Sequence, residues 1–281
     1  MATASVNGIE MYYEVHGPSA VPASKAEPVL MIMGLGANAT SWERQVPDLS
    51  REYRLIAFDN RGAGRSEKPT TPYTMPQMAD DSAGLLDHLG VDSAHVFGMS
   101  MGGMIAQELA LNHPQRVRTL ILGGTMAGGP RAVIAGPQLI QQWASSAMLP
   151  PTQAIENGLR FLYSDEFIAQ NKERLVQRAL GMLHLQAPLH ALQRQLMAVV
   201  GFNAHHRLDQ IRCPTLVATG TEDKIVPAVN SRILADGIPG AELVEFEGAG
   251  HGFIAEKAAE VNTAVLAFLR RHRRRHAASP K

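Results

Sequence analysis

The stretch Gly98-Met99-Ser100-Met101-Gly102 stands between a short apolar run at 94–97 and a helical pattern at 101–111. A serine between a strand and a helix, with a glycine two positions away on each side, is typical of a sharp turn that exposes the serine hydroxyl above a sheet. A bulky residue at either glycine position would clash in so tight a turn. We therefore predict that Ser100 is a nucleophile. The alternative is a glycine-rich strand-to-helix turn without chemistry.

Apolar runs of strand length alternate with helical patterns along most of the chain. Strands in such an alternation favour a parallel sheet with right-handed crossovers. Residues 5–16 alternate around Asn7-Gly8 and predict an antiparallel hairpin at the edge of this sheet. The predicted strands are 29–33, 53–58, 94–97, 117–122, 215–219 and 242–246, and the helical patterns of this part include 78–89, 101–111, 231–235 and 261–269.

Residues 126–212 interrupt the alternation. They contain no convincing strand, and their helical patterns at 137–147, 153–163, 171–183 and 189–200 are separated by prolines. We interpret 1–125 and 213–281 as one α/β core and 126–212 as a helical cap inserted in it. A cap in this place would cover the carboxyl edge of the sheet, where open α/β proteins bind ligands.

A serine hydroxyl needs a base before it can attack a carbonyl carbon. His251 follows small residues in Gly248-Ala249-Gly250, as expected for a loop that approaches the serine closely. Asp223 comes just after the predicted strand 215–219 and would orient the histidine. The chain order Ser, Asp, His fits this assignment. Glu222 is the neighbouring alternative acid, capping of the next helix is the alternative role for Asp223, and His184 is a histidine that could line a pocket.

A tetrahedral intermediate carries an oxyanion that needs two preorganised donors. We assign one to the backbone N–H of Met101 and the other to that of Leu35, which stands between two glycines. Apolar, methionine-rich linings adapt to irregular ligands, so apolar residues of the insertion are candidates for a substrate pocket, although a core role is equally compatible with each. The predicted pocket residues are Gly34, Met182, Leu185, Met197, Phe202 and Phe253, with Met148 and Leu183 as further apolar residues of the insertion.

Composition and charge limit the partners. Lys+Arg and Asp+Glu are equal at 26 each, so nothing in the balance indicates a nucleic-acid or anionic-membrane partner. The basic run at 270–276 fits the end of a last helix, and the one cysteine, Cys213, fits a packing role.

The chain lacks a secretory signal and a transmembrane stretch, so we expect a cytoplasmic location. Neither metal-ligand spacing nor a phosphate-binding glycine loop is present, and we expect no cofactor.

Together the motifs resemble the α/β-hydrolase superfamily, including its serine esterases and cofactor-free haloperoxidases. They are GMSMGG at 98–103, FDNRGAGRS at 58–66, CPTLVATGTED at 213–223 and GAGHGF at 248–253. The resemblance implies an α/β-hydrolase fold: a mostly parallel, eight-stranded sheet flanked by helices, with a helical cap after the sixth strand. It also implies that Asp59 and Arg61 stabilise loops. Many relatives have His-Gly where this chain has Met33-Gly34, so a histidine that often steadies that loop is missing.

These features predict a serine hydrolase that cleaves a small-molecule carboxylic ester or lactone with an apolar moiety through an acyl-enzyme on Ser100. The same residues would also suit a C–C bond hydrolase, a metabolite methylesterase, a cofactor-free haloperoxidase or perhydrolase, an acyltransferase or a lyase. A non-catalytic ligand-binding protein is the alternative outside catalysis. The sequence indicates no oligomeric state.

Overall fold

The computed structural model describes residues 2–18, 26–136, 141, 145 and 149–273. These residues form an eight-stranded sheet in the order β1-β2-β4-β3-β5-β6-β7-β8. β2 pairs antiparallel with both β1 and β4, and the strands from β3 to β8 pair parallel with one another. The strands are β1 (Ala2–Val6), β2 (Ile9–His16), β3 (Pro28–Ile32), β4 (Arg54–Phe58), β5 (Ala94–Met99), β6 (Val117–Gly123), β7 (Thr215–Gly220) and β8 (Glu242–Phe246).

The edge hairpin forms as the sequence predicts. Asn7 and Gly8 have φ values of 45° and 76°, and Val6 pairs with Ile9 across the two-residue turn. Two consecutive residues with positive φ match the twist of the flanking strands, and asparagine followed by glycine adopts this conformation readily. The hairpin adds its antiparallel strands to β4.

Both faces of the sheet are covered, as a parallel sheet requires. Val29 and Met31 of β3 belong to one apolar core, whereas Leu30 and Ile32 belong to the other. This alternation assigns successive side chains of one strand to opposite layers. The helices of the core are α1 (Val46–Leu49), α2 (Met75–His88), α3 (Met101–Asn112), α7 (Val229–Gly237), α8 (Phe253–Glu256) and α9 (Ala258–Arg271).

Between β6 and β7, the described helices are α4 (Pro151–Leu162), α5 (Asp165–Gly181) and α6 (Leu189–Val200). A small apolar cluster around Leu159, Leu175 and Val176 joins α4 to α5. We call residues 126–212 the insertion. The helix predicted at 137–147 falls mainly outside the described residues, as do Met148 and residues 274–276 of the basic run.

Candidate active site

Ser100 occupies a strained turn between β5 and α3. Its backbone has φ 56° and ψ −122°, a conformation that residues with a Cβ rarely adopt. A Cβ at Gly98 would overlap the carbonyl of Gly102, and one at Gly102 would overlap the carbonyl of Ile32. The Ser100 N–H donates to the Gly123 carbonyl at 2.8 Å. The two glycines therefore permit the close backbone approach that holds the serine in this conformation.

Asp223 and His251 form a buried hydrogen-bonded pair. His251 Nδ1 lies 2.7 Å from Asp223 Oδ2, and each residue is 6% exposed. The other carboxylate oxygen of Asp223 accepts the N–H groups of Ile225 and Val226 at 2.9 and 2.7 Å. These donors orient the carboxylate toward the ring. A proton on Nδ1 leaves Nε2 as the free, basic nitrogen.

Backbone contacts bring this pair to the serine turn. A Cβ at Gly220 would overlap the carbonyls of Ala249 and Gly250, so the loops that carry Asp223 and His251 lie against each other. A Cβ at Gly124 would lie 3.4 Å from His251 Cε1 and Nδ1. Gly124 follows the residue whose carbonyl accepts the Ser100 N–H. Ser100 Oγ itself has no hydrogen-bond partner within the described ranges, so its hydrogen bond to His251 stays a prediction.

Residues 33–37, which we call the oxyanion loop after their predicted role, lie beside the serine. A Cβ at Gly34 would be 2.9 Å from the Ser100 Cβ. The Met33 carbonyl accepts Asn60 Nδ2 at 2.8 Å, and the Gly34 carbonyl accepts the Ala37 N–H at 3.2 Å. Among the described residues, the N–H groups of Leu35 and Met101 have no acceptor. Unused N–H groups at a helix start and in a glycine-rich loop are suited to a developing negative charge.

The histidine loop contacts the insertion through Glu256. Its Oε1 accepts the Gly250 N–H at 2.8 Å, and its Oε2 accepts the Ser164 hydroxyl at 2.6 Å and the Ser164 N–H at 3.1 Å. The Gly252 N–H also donates to the Leu162 carbonyl at 2.6 Å. One carboxylate thus connects the loop before His251 to the junction between α4 and α5.

The predicted pocket residues occupy different environments. Gly34 faces Ser100, whereas Phe253 stacks on Phe246 with ring centroids 5.4 Å apart. Phe202 belongs to a core cluster, and Met197 is 66% exposed on α6. Their roles in substrate binding stay predictions. Leu185 is buried, and the sulfur of half-buried Met182 lies 3.9 Å from Thr40 Oγ1.

Contacts next to the site also involve residues that the sequence patterns do not indicate. A Cβ at Gly36 would lie 2.7 Å from Leu192 Cδ2, and one at Gly252 would overlap the ring of Tyr163. The apolar periodicity of α6 included Leu192, but periodicity alone gave no reason to prefer it over Met197. His184, the alternative pocket histidine, is exposed.

Asp59 and Arg61 stabilise loops, as the family resemblance implies. Asp59 Oδ1 accepts the Ala39 N–H at 2.7 Å, and its Oδ2 accepts Arg65 Nε at 2.9 Å. Arg61 forms a buried two-point ion pair with Asp81, at 2.6 and 2.7 Å. Burial raises the pKa of the Asp81 carboxyl despite this pairing. The carboxylates of Asp59 and Asp81 thus hold chain segments together, and the catalytic role of Asp223 stays a prediction.

Among the described residues, no group of three or more His, Cys, Asp or Glu side chains could hold a metal ion. No helix in that part of the chain is long and apolar enough to cross a membrane.

The fold agrees with comparisons to known proteins. The family described as alpha/beta hydrolase fold matches residues 27–258. The putative carbamate hydrolase RutD of Caulobacter sp. (strain K31) is 32% identical over 274 residues, covering 96% of this chain and 98% of the relative. The poly(3-hydroxyalkanoate) depolymerase of Ectopseudomonas oleovorans is 32% identical over 262 residues, covering 90% of this chain and 88% of the relative.

A solved structure gives the same result in three dimensions. The enol-lactonase from Burkholderia xenovorans LB400 superposes with a TM-score of 0.82 at 28% identity, covering 95% of this chain and 99% of that one. The chain therefore belongs to the α/β-hydrolase fold family, and it is a hydrolytic enzyme of that family.

Proposed function

We propose that this enzyme hydrolyses carboxylic esters and lactones that carry an apolar moiety, through an acyl-enzyme on Ser100. The observation that carries the proposal is the 2.7 Å hydrogen bond between His251 Nδ1 and Asp223 Oδ2 beside a serine turn with φ 56°. The names of the relatives support the bond type: one acts on a polyester, one on an enol-lactone and one is a putative carbamate hydrolase. Each of these bonds joins an acyl carbon to a heteroatom leaving group.

In the first half-reaction, Ser100 Oγ attacks the acyl carbon while His251 Nε2 takes the hydroxyl proton. The electron pair of the carbonyl moves to its oxygen, which the N–H groups of Leu35 and Met101 stabilise. The pair returns as the bond to the alcohol oxygen breaks, and the imidazolium donates its proton to that oxygen. Asp223 stabilises the imidazolium and keeps the ring oriented.

In the second half-reaction, water attacks the acyl-enzyme and His251 takes its proton. The acid leaves when the bond to Ser100 Oγ breaks, and the proton returns to the serine. The residues described supply every proton transfer in this scheme.

A C–C bond hydrolase, a perhydrolase or an acyltransferase would use the same serine, histidine and aspartate, so only the substrate distinguishes these activities from ester hydrolysis. The cytoplasmic location stays a prediction.

The test compares the native protein with Ser100→Ala on p-nitrophenyl esters of two to eight carbons, a δ-lactone and an aryl carbamate. Loss of the nucleophile is expected to lower kcat by about 10⁴-fold or more. Asp223→Asn keeps the shape of the pair but favours the wrong tautomer, so about 10⁴-fold loss is expected there as well. Equal activity of the native protein and Ser100→Ala would disprove the role of Ser100. No turnover of any ester or lactone by the native protein would disprove the substrate class.

A further inference from the structure

We propose that Gln195, a buried glutamine on α6 of the insertion, is a positioning residue that holds the oxyanion loop in its catalytic shape. The proposal rests on the function proposed above. It assigns to the insertion a part in transition-state stabilisation, in addition to covering the site.

The side chain of Gln195 joins two segments of the core. Its Oε1 accepts the Gly36 N–H at 2.8 Å, and its Nε2 donates to the Arg61 carbonyl at 2.8 Å. The residue is fully buried. Removal of a buried partner leaves the remaining donor or acceptor unsatisfied, which is costly in a low-dielectric interior. The two backbone groups are therefore strongly restrained by this one amide.

The restrained Gly36 N–H belongs to the peptide that follows Leu35. Gly36 has φ +68° and no side chain through which the loop could be anchored. On the other side of Leu35, Asn60 Nδ2 holds the Met33 carbonyl at 2.8 Å. The Leu35 N–H, our candidate oxyanion donor, lies between these two fixed points. Its direction consequently depends on both anchors, of which Gln195 is the only one contributed by the insertion among the described contacts.

A second side chain of α6 packs on the same loop. A Cβ at Gly36 would be 2.7 Å from Leu192 Cδ2. Leu192 and Gln195 are three positions apart and so lie on one face of the helix. Helix α6 therefore supplies the loop with an apolar contact and one hydrogen bond, while the second hydrogen bond of Gln195 ties the helix to Arg61.

Gln195 has no predicted contact with the substrate, so its loss has a distinctive kinetic signature. A misdirected oxyanion donor weakens binding of the transition state much more than binding of the ester. Removal of a direct donor typically lowers kcat by about 10²–10³-fold. Because Gln195 acts through the backbone of the loop, we expect a smaller decrease, of about 10- to 100-fold.

The experiment compares Gln195→Met with Gln193→Met on the ester that the native enzyme hydrolyses best. Methionine preserves the length of glutamine and removes both hydrogen bonds. Gln193 is exposed on the same helix, so its substitution controls for the change of residue type. Burst titration with a p-nitrophenyl phosphonate counts the competent sites, and kcat is expressed per titrated site. This normalisation separates loss of folded protein from loss of rate.

For Gln195→Met we expect kcat per site to fall about 10- to 100-fold, KM to change less than threefold, and phosphonate inactivation, which needs the same oxyanion donors, to slow in parallel. Gln193→Met should match the native enzyme. Native kcat per site in Gln195→Met, or a rise in KM without a fall in kcat, would overturn the proposal. If Ser100→Ala remains as active as the native enzyme, the proposed function fails instead, so the two failures are distinguishable.

Discussion

Replacement of Ser100 by glycine is expected to yield an inactive protein that is more stable than the corresponding alanine variant. Ser100 has φ 56° and ψ −122°, and a residue with a Cβ in such a region costs about 1–3 kcal/mol. Glycine adopts positive φ without this cost. The hydroxyl has no hydrogen-bond partner in the described ranges, so its removal in either variant should leave no buried group there unsatisfied.

One effect opposes the gain in stability that Ser100→Gly has over Ser100→Ala. Glycine gives the unfolded chain more freedom, which costs about 0.4–1 kcal/mol relative to alanine. If about 2 kcal/mol of strain is released, the net difference in the free energy of unfolding is about 1 kcal/mol in favour of Ser100→Gly. In a protein of this size that corresponds to a rise in Tm of about 2 °C.

Urea denaturation and thermal melts of Ser100→Gly and Ser100→Ala measure this difference. Both variants lack the hydroxyl of the proposed nucleophile, so the comparison isolates the backbone. A matched pair at Ser50, with φ −67° and ψ −13°, should show the reverse order, with the alanine variant more stable. The reasoning is refuted if Ser100→Ala is as stable as Ser100→Gly, or if the pair at Ser50 shows the same order as the pair at Ser100.

Three further predictions concern packing and ionisation. Gly102→Ala should destabilise the fold severely in thermal melts, because its Cβ would overlap the Ile32 carbonyl, whereas Gly158→Ala in α4, with open space around it, should add about 0.5–1 kcal/mol. Burial raises the pKa of Cys213 to about 11, so iodoacetamide at pH 8 should label it far more slowly in the native protein than in urea; equal rates would contradict this. Burial lowers the pKa of His95 from 6.5 to about 4. As pH falls from 6.5 to about 4, the unfolded chain takes up the proton before the folded one, so about 3 kcal/mol of the free energy of unfolding is lost. In urea titrations at pH 7 and pH 4, His95→Gln should lose less of its free energy of unfolding between the two pH values than the native protein does. An equal loss in both proteins would refute this prediction.

The elements that could be predicted from the sequence depend on local geometry. The hairpin follows from Asn7-Gly8, because few other residue pairs adopt two positive φ values easily. The serine turn follows from Gly98 and Gly102, whose spacing reflects a clash that any Cβ would cause. The loop that carries His251 could be predicted for the same reason, since small residues precede it where it lies against β7. In each case a few consecutive residues determine the backbone conformation, so the sequence alone predicts it.

Helix α5 shows where periodicity alone misleads. The apolar pattern predicts a helix at 171–183, but the structure begins it at Asp165 and ends it at Gly181. Ser164 caps the helix by accepting the Phe167 N–H at 3.3 Å, and two acidic residues follow in the first turn. This capping signal was present in the sequence. It lies outside the apolar stripe, so apolar spacing alone places the start of the helix too late.

The pocket was the least predictable part because the helices of the insertion carry apolar residues both on the side facing solvent and on the side facing the core. On α6, Leu189 and Met197 are 70% and 66% exposed, whereas Leu192 reaches the oxyanion loop. All three are apolar, so hydrophobicity does not distinguish the face toward the site from the face toward solvent. Gln195 marks the face toward the core, because this polar residue is buried and accepts the N–H of Gly36, 159 positions away. A contact over such a distance leaves no local pattern in the sequence. The hydrolase class of this enzyme could therefore be predicted from motifs of five or six residues, whereas the contacts between Gln195 and the core became identifiable only when the insertion was seen against the core.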